Sequence, residues 1–508
     1  MLSFRSSGKY FLFLFAASLC FYYTLLCSQY LMTPMFYDHI EPSIIMEGES
    51  FRNGFPIYTP QNDSSRISFG FGPMPYMTAA LFLSIIDDPI IAGKLSGILP
   101  AISGVILLTA FIWRTFSLSK ALTSLSYILV MFMPFGHLSF WNRPESTVIF
   151  GCSLTAIALF LENRIYSSIL FSLGTAIAMN GRATSYLYIL PLFAMFCIRS
   201  RRKHIILLLL LSALLTFIPF ILFSSLDLMN YIFWLLNTLH RQLIYTQILR
   251  SLLYGILFTL PLILIIIKGW KNRNTPEVKP LFIILTSLLF SLLLMAFVAA
   301  KEGSGSHHLI PFAIIIGLFI PVFMDGFDLN IRDIMNNKFH TAALLIWLTI
   351  ISYQCITGPH SRFVNFLFSD RSQVVVSDLL ILREKYKNHS MTMGYTDNNP
   401  DNYKYTFFRP LLMRNSRTYF LDAPAIMDMA EAGIKMPVST ADIFRQQKYD
   451  IFILPRNGTP FSMKSFFATK YPLFTSELSA AFSSNYRKAD SSRYYYVYFA
   501  RNIALAGI

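Results

Sequence analysis

Long apolar runs, separated by short polar connections, constrain this chain more than any other feature. They cover residues 10–32, 90–113, 118–140, 146–161, 165–180, 183–198, 205–224, 251–267, 280–299, 308–324 and 341–357. A helix needs roughly 20 apolar residues to cross a bilayer, and its internal hydrogen bonds satisfy the backbone inside lipid. Several runs are shorter than this, so their predicted ends have a tolerance of a few residues. The pattern predicts a polytopic α-helical membrane protein with about 11 transmembrane helices.

Composition and charge support the membrane class. Hydrophobic residues make up 54% of the 508 residues and charged residues 14%, whereas soluble domains carry about a quarter charged residues. The net charge of +15 suggests nucleic acid at first, but the basic residues cluster between apolar runs, where the positive-inside rule explains them. No nucleic-acid partner is therefore expected. Run 10–32 is too long for a signal-peptide core and lacks a small-residue cleavage site, so we expect a retained anchor.

Segment 73–86 decides the topology. Its apolar stretch of about 14 residues is typical of an interfacial or re-entrant helix rather than a span. If it does not cross and the N-terminus is inside, the inner loops hold Arg5, Lys9, Arg114, Lys120, Arg164, Arg199, Arg201, Arg202, Lys203, Lys268, Lys271, Arg273, Lys279, Arg332 and Lys338. The outer loops then hold only Arg52, Arg66, Arg143, Arg182, Arg241, Arg250 and Lys301. The positive-inside rule requires such an inner excess, so we predict that segment 73–86 does not cross.

The same topology places the C-terminus outside the cytoplasm. Residues 358–508 are long enough to form their own core. Segments 391–395, 450–454 and 494–499 are predicted as strands, and 426–432 and 442–446 as helices. We therefore predict an extracytoplasmic α/β domain at 358–508, after a transmembrane domain at 1–357 whose first outer loop, 33–89, carries interfacial helices. Segment 225–250 is amphipathic; with 73–86 it could wall a groove for a lipid tail or simply pack at the interface.

Charged side chains from separate loops gather at the predicted outer face. They are Asp38 and Glu41 of the first loop, Arg143 and Glu145 after the third span, Arg182 after the fifth, and Lys301, His307 and His308 after the ninth. Ionisable residues in such places often have a function, but each also has a structural interpretation. Asp38 and Glu41 fit a helix capping box. Arg143 and Glu145 fit an ion pair at the membrane interface, with the arginine head group reaching toward water. Arg182 fits an ordinary turn residue, and the two histidines fit side chains packed at the interface.

Segment 301–308, Lys-Glu-Gly-Ser-Gly-Ser-His-His, carries a sharper signal. Two glycines beside Lys301 allow backbone N–H groups to form an anion-binding nest. The segment also precedes a predicted helix, whose N-terminus favours negative charge. This combination predicts phosphate binding.

Several motifs resemble those of a known family. They are Tyr37-Asp38-His39-Ile40-Glu41-Pro42, Asn53-Gly54-Phe55-Pro56-Ile57-Tyr58 and Phe71-Gly72-Pro73-Met74-Pro75-Tyr76, followed by Asn142-Arg143-Pro144-Glu145 and the lysine-to-proline element 301–311. In their order and predicted side of the membrane they resemble the GT-C glycosyltransferases. The nearest branch contains the protein O-mannosyltransferases and the lipid A aminoarabinose transferases. The resemblance covers roughly residues 10–325.

The resemblance implies a polyprenyl-phosphate-linked sugar as donor and a hydroxyl outside the cytoplasm as acceptor. In that family an acid of the first loop is the general base, and the reaction usually inverts the anomeric centre. The family commonly has adjacent acids, whereas two residues separate Asp38 from Glu41 here, so both stand as the base. Glu145 stands where the family commonly has aspartate. Gly72 stands where it has a lysine, which leaves phosphate binding to the other cations.

The chemistry explains these residue types. A hydroxyl becomes an effective nucleophile when a carboxylate removes its proton during attack, and arginine or lysine stabilises the charge that develops on the leaving phosphate. We predict Asp38 or Glu41 as the catalytic residue. The predicted donor phosphate and sugar ligands are Arg143, Glu145, Arg182, Lys301, His307 and His308.

No cofactor is predicted. The sequence contains neither a P-loop nor a Rossmann fingerprint, as expected when a lipid carries the activated sugar. All cysteines (Cys20, Cys27, Cys152, Cys197 and Cys355) lie in apolar runs, so no disulfide framework and no Cys-x-x-Cys metal site is expected. No metal is predicted either, although Asp38, Glu41 and Glu145 could hold a divalent ion.

Two other function classes stay open. A transporter or lipid flippase would place ionisable groups near the middle of its spans and show inverted repeats, whereas Lys94 lies near the end of a run. A lipid-linked glycan ligase or polymerase would show a large late outer loop rather than an early acidic one. We therefore expect a polyprenyl-phosphate-sugar donor, membrane lipid, and a glycan, lipid or protein acceptor as partners. The expected location is a bacterial inner membrane, with the active site on the periplasmic side.

Overall fold

A computed structural model describes residues 3–65, 67–270, 278–367, 371–413, 420–466 and 471–503. Three of the predicted loop cations, Arg66, Lys271 and Arg273, lie outside the described residues. Helices up to residue 367 are α1 Ser3–Met32, α2 Ile40–Arg52, α3 Met74–Leu83, α4 Pro89–Thr115, α5 Leu118–Phe132, α6 Pro144–Ala158, α7 Arg164–Gly181, α8 Tyr186–Arg199, α9 Arg202–Leu222, α10 Leu228–Asn237, α11 Tyr245–Gly269, α12 Lys279–Ala299, α13 Phe312–Gly326, α14 Ile331–Met335, α15 Lys338–Thr357 and α16 Pro359–Leu367.

Every predicted apolar run forms a helix. Within the described ranges, eight helices are long and apolar enough to cross a membrane, at Tyr10–Met32, Pro89–Thr115, Leu118–Ser139, Arg202–Leu222, Tyr245–Gly269, Lys279–Ala299, Ser306–Gly326 and Lys338–Thr357. The remaining runs form α6, α7 and α8, of 15, 18 and 14 residues. Segment 73–86 forms α3, whose 10 residues are fewer than a span requires. The predicted class, a polytopic α-helical membrane protein, is confirmed.

Packing divides the chain into two compact units. Unit 1 comprises Met1–Tyr30, Gly97–Pro219 and Leu243–Leu367, and unit 2 comprises Leu31–Ser96, Phe220–Gln242 and Phe368–Ile508. The first predicted loop therefore shares a unit with the C-terminal region. The predicted domain boundary after residue 357 is a division along the chain, which these units do not test, and it stays a prediction.

The core of unit 1 forms around α13. All of its residues from Phe312 to Met324 are buried, as expected of a helix that is apolar on every side. It packs against α5, α6 and α11. Gly317 permits the close contact with α5, because a Cβ there would lie 2.8 Å from the side chain of Ile128. An ion pair between Lys120 and Asp325 joins the same two helices.

The C-terminal region of unit 2 contains a four-stranded mixed sheet with the order β1-β2-β4-β3. The strands are β1 Met391–Met393, β2 Ile451–Pro455, β3 Tyr486–Ser491 and β4 Tyr495–Ala500. Strands β1 and β2 are parallel, and the other two pairs are antiparallel. The helices are α17 Arg371–Lys385, α18 Pro400–Tyr405, α19 Ala423–Glu431, α20 Thr440–Arg445 and α21 Ser476–Asn485. The predicted α/β architecture is confirmed, while β3, α17, α18 and α21 were absent from the sequence prediction.

The first loop of unit 2 is built on α2 and α3. Gly48 of α2 lets the two helices approach, because a Cβ there would lie 2.7 Å from the Cβ of Ala79. The amphipathic segment after residue 225 contributes α10, which buries Trp234 completely. The indole of Trp234 donates to the carbonyl of Thr59 at 2.6 Å. This helix therefore packs on the first loop.

Candidate functional site

Glu145 and Arg182 meet because α6 and α7 form a closely packed antiparallel pair. Gly151 and Gly174 face each other, and a Cβ on either would lie 2.6 Å from the carbonyl oxygen of the other. Further along the pair, a Cβ on Gly181 would lie 2.7 Å from the hydroxyl oxygen of Thr147. The glycines thus allow the two backbones to approach. The first turn of α6, with Glu145, therefore lies beside the residue that ends α7, Arg182.

The carboxylate of Glu145 is the centre of a compact charged cluster in unit 1. Glu145 is 1% exposed. The Nη1 atom of Arg182 lies 2.7 Å from Glu145 Oε1 and donates to His308 Nδ1 at 2.8 Å. His307 Nε2 lies 3.8 Å from the same carboxylate oxygen. One buried acid therefore holds an arginine and a neighbouring imidazole in place.

Arg143 joins this cluster through an aromatic ring. Its guanidinium carbon lies 3.8 Å from the ring centroid of Trp141, a distance typical of cation–π contact. The Trp141 ring meets the His307 ring edge-on at 5.4 Å. Gly97 makes room for this chain segment, because a Cβ there would lie 2.3 Å from the Trp141 carbonyl. Trp141 therefore contacts both a cation and an imidazole of the cluster.

The connection 301–308 brings the histidines to the cluster. Gly303 has φ of +78°, the left-handed region that favours glycine. Lys301 pairs with Leu243 in an isolated antiparallel bridge, and its carbonyl accepts the Ser304 N–H at 2.9 Å. A 3₁₀ segment, Ser306–Leu309, then leads into α13. Tyr188 donates to the His308 carbonyl, while the role of Lys301 in phosphate binding stays a prediction.

The electrostatics of the cluster favour an anion. Burial raises the pKa of Glu145, which lies just ahead of the predicted span 146–161, but Arg182, His307 and Arg143 together hold that pKa below its ordinary value. Glu145 is therefore ionised at neutral pH. Arg143 and Arg182 stay protonated, so two guanidinium groups lie beside this one carboxylate. A planar guanidinium is well suited to bind phosphate.

The same cluster could also be considered as a metal site. One ligand atom each from Glu145, His307 and His308 lies within 4.8 Å of the others. However, Arg182 Nη1 contacts both the Glu145 carboxylate and His308 Nδ1. A divalent cation would have to displace this guanidinium and share its surroundings with Arg143. The donor set is therefore better suited to a phosphate than to a metal.

Asp38 and Glu41, in unit 2, brace the start of α2. Asp38 Oδ1 accepts the Ile40 N–H at 2.9 Å, and Glu41 Oε2 accepts the Asp38 N–H at 3.1 Å. These two hydrogen bonds resemble those of the helix capping box that the sequence offered as the structural interpretation of the two acids. The two acids differ in exposure, since Glu41 is 0% exposed and Asp38 is half-buried.

Sequence reasoning missed the contact of Lys94, near the start of α4, with the first loop. Lys94 is 0% exposed, donates to the carbonyl of Thr33, and interacts electrostatically with Glu41 and Asp88. A lysine a few residues inside an apolar run was the available signal, because a buried ammonium requires a partner. Glu41 therefore serves as a counter-charge, whereas Asp38 keeps a partly accessible carboxylate.

An apolar groove of about 400 Å³ lies among α1, α4 and α5 in unit 1. Its lining includes Cys27, Val105, Trp113, Leu125 and Phe140. The groove follows α5, whose 15 residues correspond to a helix length of roughly 22 Å. Its lining reaches Phe140, three residues before Arg143. The groove lining therefore ends in sequence just before the cluster residue Arg143. Segments 73–86 and 225–250, which the sequence suggested as walls of a lipid groove, do not line this groove.

Comparison with known proteins identifies the fold. No protein-family model matches the chain, and no curated protein matches it in sequence. The fold of this chain matches that of solved structures over nearly its whole length. It is shared with ArnT from Cupriavidus metallidurans bound to undecaprenyl phosphate, with a TM-score of 0.56 and 11% identity over 98% of this chain and 99% of that chain. The apo state of the same ArnT matches with a TM-score of 0.54 and 12% identity, over 97% and 98% of the two chains.

Proposed function

We propose that this protein is a membrane glycosyltransferase that moves a sugar from a polyprenyl-phosphate donor to an acceptor hydroxyl. The observation that carries this proposal is the buried cluster of Arg143, Glu145, Arg182, His307 and His308. Its two guanidinium groups suit the phosphate of a lipid donor. The shared fold supports the same class, because the similar ArnT structure is bound to undecaprenyl phosphate.

The donor would use both features of unit 1. The guanidinium groups of Arg182 and Arg143 hold the phosphate, and Glu145 keeps Arg182 in position. The apolar groove takes part of the polyprenyl tail, since its lining is almost entirely hydrocarbon and burial of apolar surface favours such binding. As the glycosidic bond breaks, negative charge grows on the leaving phosphate, and the arginines stabilise it.

Asp38 is the group that we assign as the general base. Its half-buried carboxylate takes the proton of the acceptor hydroxyl while the acceptor oxygen bonds to the anomeric carbon and polyprenyl phosphate leaves. Glu41 fits this role less well, because it is fully buried and interacts with Lys94. Glu41 instead positions Asp38 through the Asp38 N–H. The active site is proposed to open to the periplasmic side of a bacterial inner membrane.

The test compares glycans, lipids and proteins from host cells with and without this protein by mass spectrometry. We expect one class of glycoconjugate to lose a sugar-sized mass increment in the deletion strain. The wild-type gene should restore the increment, and an Asp38→Asn gene should not. An unchanged set of glycoconjugates would contradict the transferase assignment and favour a flippase or transporter.

A further inference from the structure

Within unit 2, the C-terminal region is anchored to α2 by a buried polar contact. Arg409 Nη2 donates to Ser43 Oγ at 2.6 Å and to Asp422 Oδ1 at 3.0 Å. Arg409 is 6% exposed, and the other two residues are 0% exposed. A buried arginine paired with a carboxylate is costly to disrupt. The segment that carries Arg409, residues 400–413, is therefore held along the helix that begins beside Asp38.

Tyr403 lies on this segment and contacts the start of α2. Its ring meets the His39 ring edge-on at 5.9 Å, and Phe407 and Phe466 pack against it at 5.4 and 4.9 Å between ring centroids. Tyr403 is 7% exposed. Rings on several sides restrict its rotamers, so its hydroxyl has a defined position next to the residue that follows Asp38.

The Tyr403 hydroxyl is a buried donor on a ring that packs against His39, the residue after Asp38. It makes no hydrogen bond to any residue in the described part of the chain. Burial raises the pKa of Tyr403 well above its usual range, and the charges of Asp422 and Asp38 act in the same direction. The hydroxyl therefore keeps its proton at physiological pH. A buried hydroxyl without a protein partner costs free energy, and such exceptions are often explained by a function or a ligand.

We propose that Tyr403 is an acceptor-binding residue whose hydroxyl donates a hydrogen bond to the acceptor beside the Asp38 carboxylate. This inference rests on the proposed function and assigns part of the C-terminal region to the active site. Tyr403 and Asp38 offer one donor and one proton acceptor, while the nearby Arg409 pairs with Asp422. The pair therefore fits a neutral, hydroxyl-bearing acceptor such as a saccharide rather than an anionic one.

One proton moves in the proposed transfer step. The acceptor hydroxyl gives its proton to Asp38, its oxygen bonds to the anomeric carbon, and the bond from that carbon to the phosphate oxygen breaks. Tyr403 keeps its own proton throughout and orients the attacking oxygen. Loss of its hydroxyl should therefore slow transfer without affecting the donor site.

The experiment compares Tyr403→Phe with Tyr405→Phe, a control on the same short segment whose ring packs against Tyr494 and Tyr495. Sugar transfer to the natural acceptor is measured in membranes from complemented deletion cells between about pH 5 and pH 8, the range in which carboxylate-dependent catalysis changes. Binding of undecaprenyl phosphate and thermal stability are measured on the full-length protein in nanodiscs. We expect Tyr403→Phe to lower transfer by roughly 3- to 10-fold, with unchanged lipid binding, stability and pH dependence. Tyr405→Phe should match wild type.

Two results would overturn the inference. One is transfer by Tyr403→Phe within twofold of wild type while Asp38→Asn is inactive. The other is a shifted pH dependence in Tyr403→Phe, because the tyrosine would then act on the base rather than on the acceptor. Absence of transfer by the wild-type protein would instead remove the proposed function itself, so the two failures are distinguishable.

Discussion

Glu145 and Asp38 are both acids near the start of a helix, but they differ in burial and in the charges around them. Glu145 is fully buried, paired with Arg182 and close to His307. Asp38 is half-buried and accepts a backbone N–H at the start of α2. An acid held among cations keeps its charge and is a poor proton acceptor, whereas a more accessible carboxylate can exchange a proton with a substrate.

Glu41 makes the comparison sharper. It is only three residues from Asp38, yet it resembles Glu145, because it is fully buried and interacts with the cation Lys94. Position on the first loop therefore does not decide which acid is the base. We propose that contact with a buried cation distinguishes the two acids, and substitution can test this.

The largest expected effect is that of Asp38→Asn. Asparagine keeps the side-chain oxygen that accepts the Ile40 N–H but removes the proton acceptor, so we expect transfer to fall by about 10²- to 10⁴-fold with little change in stability. Asp63→Asn is the control, because Asp63 lies on the same loop and accepts from Ser65. Initial rates in membranes give the measurement, and near-normal rates for Asp38→Asn would remove the base assignment.

Arg182→Gln should produce the next largest effect, on donor binding. Loss of charged hydrogen bonds to phosphate should weaken undecaprenyl phosphate binding by roughly 10- to 100-fold. Because Glu145 would be left buried without its partner, the variant should also lose about 3–5 kcal/mol of stability. Both quantities are measured on the protein in nanodiscs.

A double variant separates these two effects. Arg182→Gln combined with Glu145→Gln removes the isolated charge, so stability should recover while binding stays weak. Arg164→Gln, at the opposite end of α7, is the control for binding. Recovery of lipid affinity in the double variant would show that Arg182 is structural rather than a phosphate ligand.

Glu41→Gln should affect transfer less than either of these changes. The amide oxygen of glutamine can still accept the Asp38 N–H, but Lys94 loses one of its two acidic neighbours, Glu41 and Asp88. We expect a stability loss of about 3 kcal/mol and a decrease in transfer of less than about 10-fold per folded molecule. Thermal unfolding and initial rates, normalised to folded protein, provide the measurement. A larger loss of transfer than in Asp38→Asn would reverse the roles of the two acids.

The smallest expected effect concerns the α6–α7 pair. Gly174→Ala would place a Cβ 2.6 Å from the Gly151 carbonyl oxygen, so we expect a stability loss of about 1–3 kcal/mol and slightly weaker lipid binding. Gly255→Ala is the matched control, because among the described residues no atom beyond its own stretch of α11 backbone lies within 4 Å of that Cβ position. It should stabilise the protein by about 0.5–1 kcal/mol. Equal thermal stability of the two variants would contradict the proposed importance of this packing.

The membrane architecture could be predicted because it depends on local hydrophobicity. Each apolar run forms a helix whether or not its neighbours are known, and the fold class followed from the number and length of these runs. Strand β3 was missed because its sequence, Tyr-Arg-Lys-Ala-Asp-Ser, is that of a polar edge strand and lacks an apolar alternation.

The candidate site also combines features that the sequence predicted with features that it could not predict. Charge patterning identified Arg143, Glu145, Arg182, His307 and His308, and the structure brings them together. It could not show that Glu145 pairs with Arg182, because this depends on glycine contacts between two helices. The sequence around Tyr403 did not indicate its contact with His39 either, since the two residues lie more than 360 positions apart along the chain.

A structure of the full-length protein in nanodiscs with undecaprenyl phosphate, determined by cryo-electron microscopy, would test the phosphate assignment most directly. We expect the lipid phosphate within hydrogen-bonding distance of Arg182 and Arg143, with the tail entering the groove among α1, α4 and α5. A phosphate bound elsewhere, with the Arg182–Glu145 pair left without a ligand, would contradict the proposed donor site.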